Sequence, residues 1–152
     1  MTKHCETFEH TADLGLEARA DSPAELLEAL GEGLYAQICQ PRDIRLRQKR
    51  RVQVAAEGAA SPRGHEPDAA ALELLVADFL RELLRLFHLE RFLVGRVRVE
   101  RCDETAVAAE VAGESYDPAR HELGLEIKAV TYHQLKVARD RSGWLARVIL
   151  DI

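Results

Sequence analysis

At 152 residues, with 47% hydrophobic and 31% charged side chains, the chain has the make-up of one globular domain with a true core, not of a disordered or fibrous protein. A formal charge of −5 excludes a protein that holds nucleic acid through its overall charge, and no apolar run nears the ~20 residues that cross a bilayer, which excludes a helical membrane protein. Met1 to Glu6 carries no secretory apolar stretch, and Cys5, Cys39 and Cys102 are too widely spaced for a disulfide framework or a zinc knuckle, so the expected location is the cytoplasm.

The first segment, Cys5 to Glu9, has few apolar residues but can pair with the strand expected after it. Leu14, Leu16, Ala18 and Ala20 alternate with Gly15, Glu17 and Arg19, the period of a half-buried strand. Between them lies His10-Thr11-Ala12-Asp13, a connection ending on a turn-forming aspartate. Ser22, Pro23 and Glu25 then supply an N-cap, a first-turn proline and the acid of a capping box. Leu26, Leu27, Leu30, Leu34 and Ile38 continue as an apolar helical stripe, weakened by ~1 kcal/mol at each of Gly31 and Gly33 and stopped by Pro41. Cys39 near its end reads as a small buried side chain.

Ile44 to Ala56 is the next expected strand, and it opens in a basic block of Arg42, Arg45, Arg47, Lys49, Arg50 and Arg51. Contact with RNA phosphates or an acidic partner stays open, but alternation with Ile44, Leu46 and Gln48 favours a solvated strand face. Glu57 to Asp68, with two glycines and two prolines, reads as a surface loop. The strongest pattern comes next: Leu72, Leu75, Val76, Phe79, Leu80, Leu83, Leu84 and Phe87 stripe one face of a helix over 69–89.

Phe92 to Arg101 and Thr105 to Gly113 alternate as two strands of a hairpin around Cys102-Asp103-Glu104. Glu114 to Glu122 is irregular and polar. Ile127, Val130, Tyr132, Leu135 and Val137 suggest strand broken around Thr131 to Gln134, and Asp140 to Gly143 turns into a last strand, Trp144 to Leu150. Strand runs interrupted by two helices without regular alternation imply an α+β fold, two-layer, with a mixed or mostly antiparallel sheet and amphipathic helices at about 22–39 and 69–89, in a single domain over 1–152.

The chain has no phosphate-cradling glycine loop, no nucleophile elbow and no paired histidines on a helix. His4, His10, His65, His88, His121 and His133 each read alone as ordinary surface or hydrogen-bonded residues. Asp13 alone reads as a turn aspartate. Asp151-Ile152 would ordinarily fray, but Val148, Ile149 and Leu150 can hold that end against the core, with the Ile152 α-carboxylate beside the Asp151 side chain. Were Asp13 to approach, repulsion among the carboxylates would call for a hard divalent cation, calcium or magnesium.

Four runs carry a family resemblance: Phe8 to Gly15; Gly113-Glu114 with Asp117, Arg120 and His121; Glu126 to His133; and Arg147 to Ile152. In these runs the chain resembles the archease family over nearly its whole length. The resemblance implies a non-catalytic activator of an RtcB-type RNA ligase, promoting ligase guanylylation and multiple turnover in tRNA splicing or RNA repair. It implies a divalent metal, calcium or magnesium, on Asp13, Asp151 and the Ile152 carboxylate, and a functional role for Lys128 in ligase activation. His10, Arg120, His121 and His133 are candidate props around that site. The expected partners are the ligase and, through its complex, RNA or GTP, with no membrane. Two other readings stay open, a stand-alone metal-dependent phosphoesterase and a chaperone-like scaffold.

Overall fold

The computed structural model describes residues 3–10, 13–55 and 66–152, with Glu9 and His10 described by their backbone alone. Strands β1 (His4–His10) and β2 (Asp13–Ala20) form an antiparallel hairpin. Helix α1 (Pro23–Ile38) starts as its sequence dictates: Ser22 Oγ accepts from the Glu25 N–H at 3.2 Å and donates to the Glu25 carboxylate at 3.0 Å. Strand β3 is Gln48–Ala55. Alternation alone begins it at Ile44. The Arg45 N–H is instead taken by the Glu114 carboxylate at 2.8 Å, so the chain joins the ladder only after that side-chain bond.

Helix α2 (Ala69–Glu90) is capped by Asp68, which accepts from the Ala71 N–H at 2.8 Å, and ends where Arg91 turns left-handed at φ 55°. Strands β4 (Phe92–Cys102) and β5 (Ala106–Ser115) form the expected hairpin. Of the strand expected from Ile127 to Val137, only β6 (Ala129–Val130) and β7 (Lys136–Asp140) form. The break has a local cause. Thr131 gives both its N–H and its hydroxyl to the Ile149 carbonyl, each at 3.0 Å, and Gln134 sits at φ 53°. Strand β8 (Gly143–Asp151) closes the fold after a two-residue turn.

Among the described residues every strand pairing is antiparallel, and the class is α+β as expected, with the strands divided between two sheets. One has the order β1-β2-β8, with β6 and β7 sharing the far edge of β8; the other is β3-β5-β4. Both helices touch strands of both sheets and each other. Leu26, Leu30, Phe79, Leu83, Val97 and Val148 are buried there, each contributing ~1.5–3 kcal/mol by leaving water. Gly31 is explained by this packing, since a Cβ there would stand 2.7 Å from a Leu83 methyl of α2. Among the described residues no helix is long and apolar enough to cross a membrane.

Candidate metal and partner site

The register of the first sheet assembles the site. Asp13 of β2 lies opposite Asp151 of β8, Ala129 of β6 lies opposite Asp151, and His10 of β1 lies opposite Asp13. Residues directly opposed in antiparallel pairs point to the same face, so Asp13, Asp151 and Ala129 form one row from three strands across the end of the sheet, and the His10 backbone pairs beside it. The next row, Leu14, Leu150 and Val130, points the other way, and there Leu150 is fully buried and Val130 nearly so. That apolar row fixes the carboxylate row. A slip of one residue would bury Asp13 and Asp151 in the core. Asp13 is half-buried, Asp151 exposed, and Ile152 comes last at 37% exposure. Thr11, Ala12 and the His10 side chain lie outside the described residues.

Gly15, next on the same face as Asp13, is explained by its neighbour: a Cβ there would meet the Phe8 ring at 2.2 Å. Arg147 stacks on that ring at 4.1 Å, so the hairpin bearing Asp13 is braced onto β8 beside the row.

Lys128 gives its N–H to the Asp151 carbonyl at 2.7 Å. It precedes Ala129, so its side chain leaves on the opposite face from the carboxylates, where it lines a groove with Arg85 and Leu89 of α2. His133 is exposed in the turn after β6, its N–H on the Thr131 hydroxyl at 3.3 Å.

Arg120 and His121 are gathered on a different acid, Glu114 at the end of β5. Its buried carboxylate accepts from the Arg45 N–H at 2.8 Å, from the Arg120 guanidinium, and from His121 Nε2 at 2.9 Å. His121 Nδ1 in turn accepts from the Asp117 N–H at 2.9 Å, which fixes the tautomer that donates to Glu114. Burial alone would raise the Glu114 carboxyl, but these donors outweigh it and hold the group at about 2. Sequence reasoning misses this role of Glu114. The residue stands in the Gly113-Glu114 run of the family resemblance, but nothing local shows that a glutamate after Gly113 will be buried.

An irregular segment joins the two acids. It leaves Glu114, runs past the end of α1, where Gly124 and Leu125 donate to the Ile38 and Gln37 carbonyls, and ends with Lys128 on Asp151. Arg120 and His121 therefore anchor the far end of the segment that delivers Lys128 to the carboxylate row.

Among the described residues no three His, Cys, Asp or Glu side chains converge as a metal nest, so the row supplies two side-chain carboxylates. As a donor set they fit a hard, oxygen-seeking cation: like charges directly opposed across strands repel, and a divalent ion relieves that. The thiols do not compete for such a role. Burial, with help from Glu6 and from Asp103, pushes Cys5 and Cys102 up to about 12, which keeps both protonated.

An α+β fold with two cross-strand carboxylates at one sheet end, and a lysine tethered to one of them, defines a small acidic-site protein. Comparison with known proteins gives the family. The profile described as the archease protein family (MTH1598/TM1083) matches residues 5–152. The protein archease of Pyrococcus furiosus is 34% identical over 151 residues, covering 97% of each chain. That of Methanosarcina acetivorans is 33% identical over 154 residues, covering 99% of this chain and 97% of its own. The solution structure of Methanobacterium thermoautotrophicum protein 1598 shares the fold, with a TM-score of 0.74 at 24% identity over 97% of this chain and 98% of that one. This chain belongs to the archease family.

Proposed function

We propose that this archease is a non-catalytic activator of an RtcB-type RNA ligase, which promotes ligase guanylylation and multiple turnover in tRNA splicing or RNA repair in the cytoplasm. The observation that carries the reading is the meeting of Asp13 and Asp151 across β2 and β8 with Lys128 bonded to Asp151. Asp13, Asp151 and the carboxylate of Ile152 would hold a calcium or magnesium ion, which when bound supplies positive charge at the sheet end. Lys128 adds a mobile ammonium for nucleotide phosphate or an acidic surface of the ligase. RNA and GTP are reached through the ligase complex.

The test is ligation with the matching ligase, GTP and RNA ends, with the archease substoichiometric. Guanylylation is expected to accelerate, with each archease serving many ligase molecules, and Asp13→Asn is expected to abolish the effect. No acceleration, or an Asp13→Asn variant as active as wild type, overturns the reading. Metal-dependent turnover by the protein alone would favour the phosphoesterase. Rescue that needs one archease per ligase and ignores Asp13 would favour the scaffold.

A further inference from the structure

Where α2 faces the segment from residue 123 to 130, two clefts meet at His88. One, of about 360 Å³, has Ile38, Phe87, Leu123 and Ile127 among its walls; the other, of about 400 Å³, runs between Leu84 and Leu89 of α2 and Val130. Both are braced. His88 Nε2 lies 2.9 Å from the Ile127 carbonyl, and Arg81 donates to the Val130 carbonyl at 3.2 Å. Leu89, Leu125 and Leu123 are 68%, 42% and 38% exposed, and all three line these clefts instead of being scattered.

The clefts are more basic than the chain as a whole. The charged side chains lining the two clefts are Arg81, Arg85, Arg91 and Lys128 against Glu126, in a chain with 21 basic and 26 acidic residues. Glu82 pairs with Arg85 at 3.6 Å, but on an exposed helix such a pair is weak and yields to a partner. Exposed leucines ringed by cations suit an acidic protein segment better than single-stranded RNA, whose bases need aromatic faces to stack on. Of the aromatic rings beside the clefts among the described residues, Phe87 is buried, Tyr132 has its face covered by the Arg81 guanidinium at 4.1 Å, and His88 is held at the Ile127 carbonyl.

We propose that this double cleft is where the partner ligase docks, through a segment that places an aliphatic or aromatic side chain between the leucines and carboxylates on Arg85, Arg91 and Lys128. The inference rests on the proposed function and adds the contact surface. Continuity supports it: Lys128 lines the cleft while its N–H holds Asp151, so a segment seated here lies at the same sheet end as the carboxylate row, on its opposite face.

The experiment measures binding of full-length archease to the ligase by calorimetry, for wild type and for Arg85→Glu combined with Leu89→Lys. Both positions are exposed on α2, and a thermal melt checks that the variant folds. The expected result is a Kd weakened about tenfold or more, with calcium affinity unchanged and guanylylation restored when excess variant is added. Arg85→Glu alone is expected to give a smaller loss that fades as salt rises. A double variant within about twofold of wild type overturns the docking surface and leaves the activator reading standing. A wild-type protein that does not bind the ligase overturns the activator reading itself, and the occupant with it. A variant that keeps ligase affinity but loses single-stranded RNA assigns the clefts to RNA and also overturns the proposal.

Discussion

Two acidic centres stand at the two ends of one irregular segment, and they solve opposite problems. Glu114 is buried and surrounded by donors of its own chain: the Arg45 N–H, Arg120 and His121. Asp13 and Asp151 are set opposite each other at an open sheet end, one half-buried and one exposed. An acid whose charge is neutralised from within serves the fold, because desolvating it without partners would be costly. Two acids placed face to face repel each other, and the proposed cation would relieve that repulsion. The contrast teaches that burial and position in the sheet, not residue type, separate a structural carboxylate from one open to a ligand.

The largest effect is expected at the buried end. Glu114→Ala leaves His121 Nε2 and the Arg45 N–H without their acceptor and is expected to cost about 3 kcal/mol in urea unfolding. A loss under about 1 kcal/mol would mean that the network is replaceable by water and that the contrast is false.

Next in size is the pH dependence. The folded-state pKa of Glu114 is depressed from 4.5 to about 2, so its contribution is fully present above pH 4.5 and is lost as pH falls towards 2. A displacement of that size corresponds to ~3 kcal/mol. The stability difference between wild type and Glu114→Gln is expected to shrink across that window. Asp103, where burial is outweighed by Arg101 and Thr105 so that its carboxyl also lies low, titrates in both proteins and cancels from the difference. A difference that stays constant from pH 5 to pH 2 would show that the donors do not hold Glu114 charged.

The exposed end should respond to ions instead. Calcium at ~100 times its Kd is expected to raise wild-type stability by ~2.7 kcal/mol, and Asp151→Asn should abolish most of that gain. Glu114→Gln should keep it. Equal calcium stabilisation of wild type and Asp151→Asn, measured by thermal melts, would place the ion elsewhere.

Parts of this contrast are legible from the sequence, in proportion to how local their causes are. Ser22, Pro23 and Glu25 announce α1, and the eight-residue apolar stripe announces α2, because caps and helical periodicity act within a few residues. The hairpin of β4 and β5 is equally local, set by alternation around Asp103. The alternation of Leu14 and Leu16, like that of Val148 and Leu150, gives each strand a face but no partner. Pairing of β2 with β8 joins opposite ends of the chain, and the family resemblance, not periodicity, brings Asp13 to Asp151. The division into two sheets is invisible for the same reason. Arg120 and His121 stand out as residues while Glu114, the acid they serve, does not. Half of the basic block falls on a strand face: Lys49, Arg50 and Arg51 of β3 lie within 3.6 Å of Glu110, Glu90 and Glu100, while Arg42, Arg45 and Arg47 precede the strand.

The smallest effect is the most discriminating. In EDTA, Asp151→Asn removes one of two opposed charges and keeps nearly the same shape. It is expected to stabilise the protein by ~0.2–1 kcal/mol, the scale of a cross-strand like-charge pair. The gain should fall as salt is raised, since Asp151 is exposed and its repulsion is screened over ~10 Å at 0.1 M. The same substitution at a carboxylate held by its own donors, Glu114→Gln, should destabilise under identical conditions. Opposite signs for two acid-to-amide changes in one protein would separate a carboxylate waiting for a cation from one that already has its partners. Destabilisation by Asp151→Asn in EDTA would mean that the chain itself neutralises the row, and the row would then belong to the fold as Glu114 does.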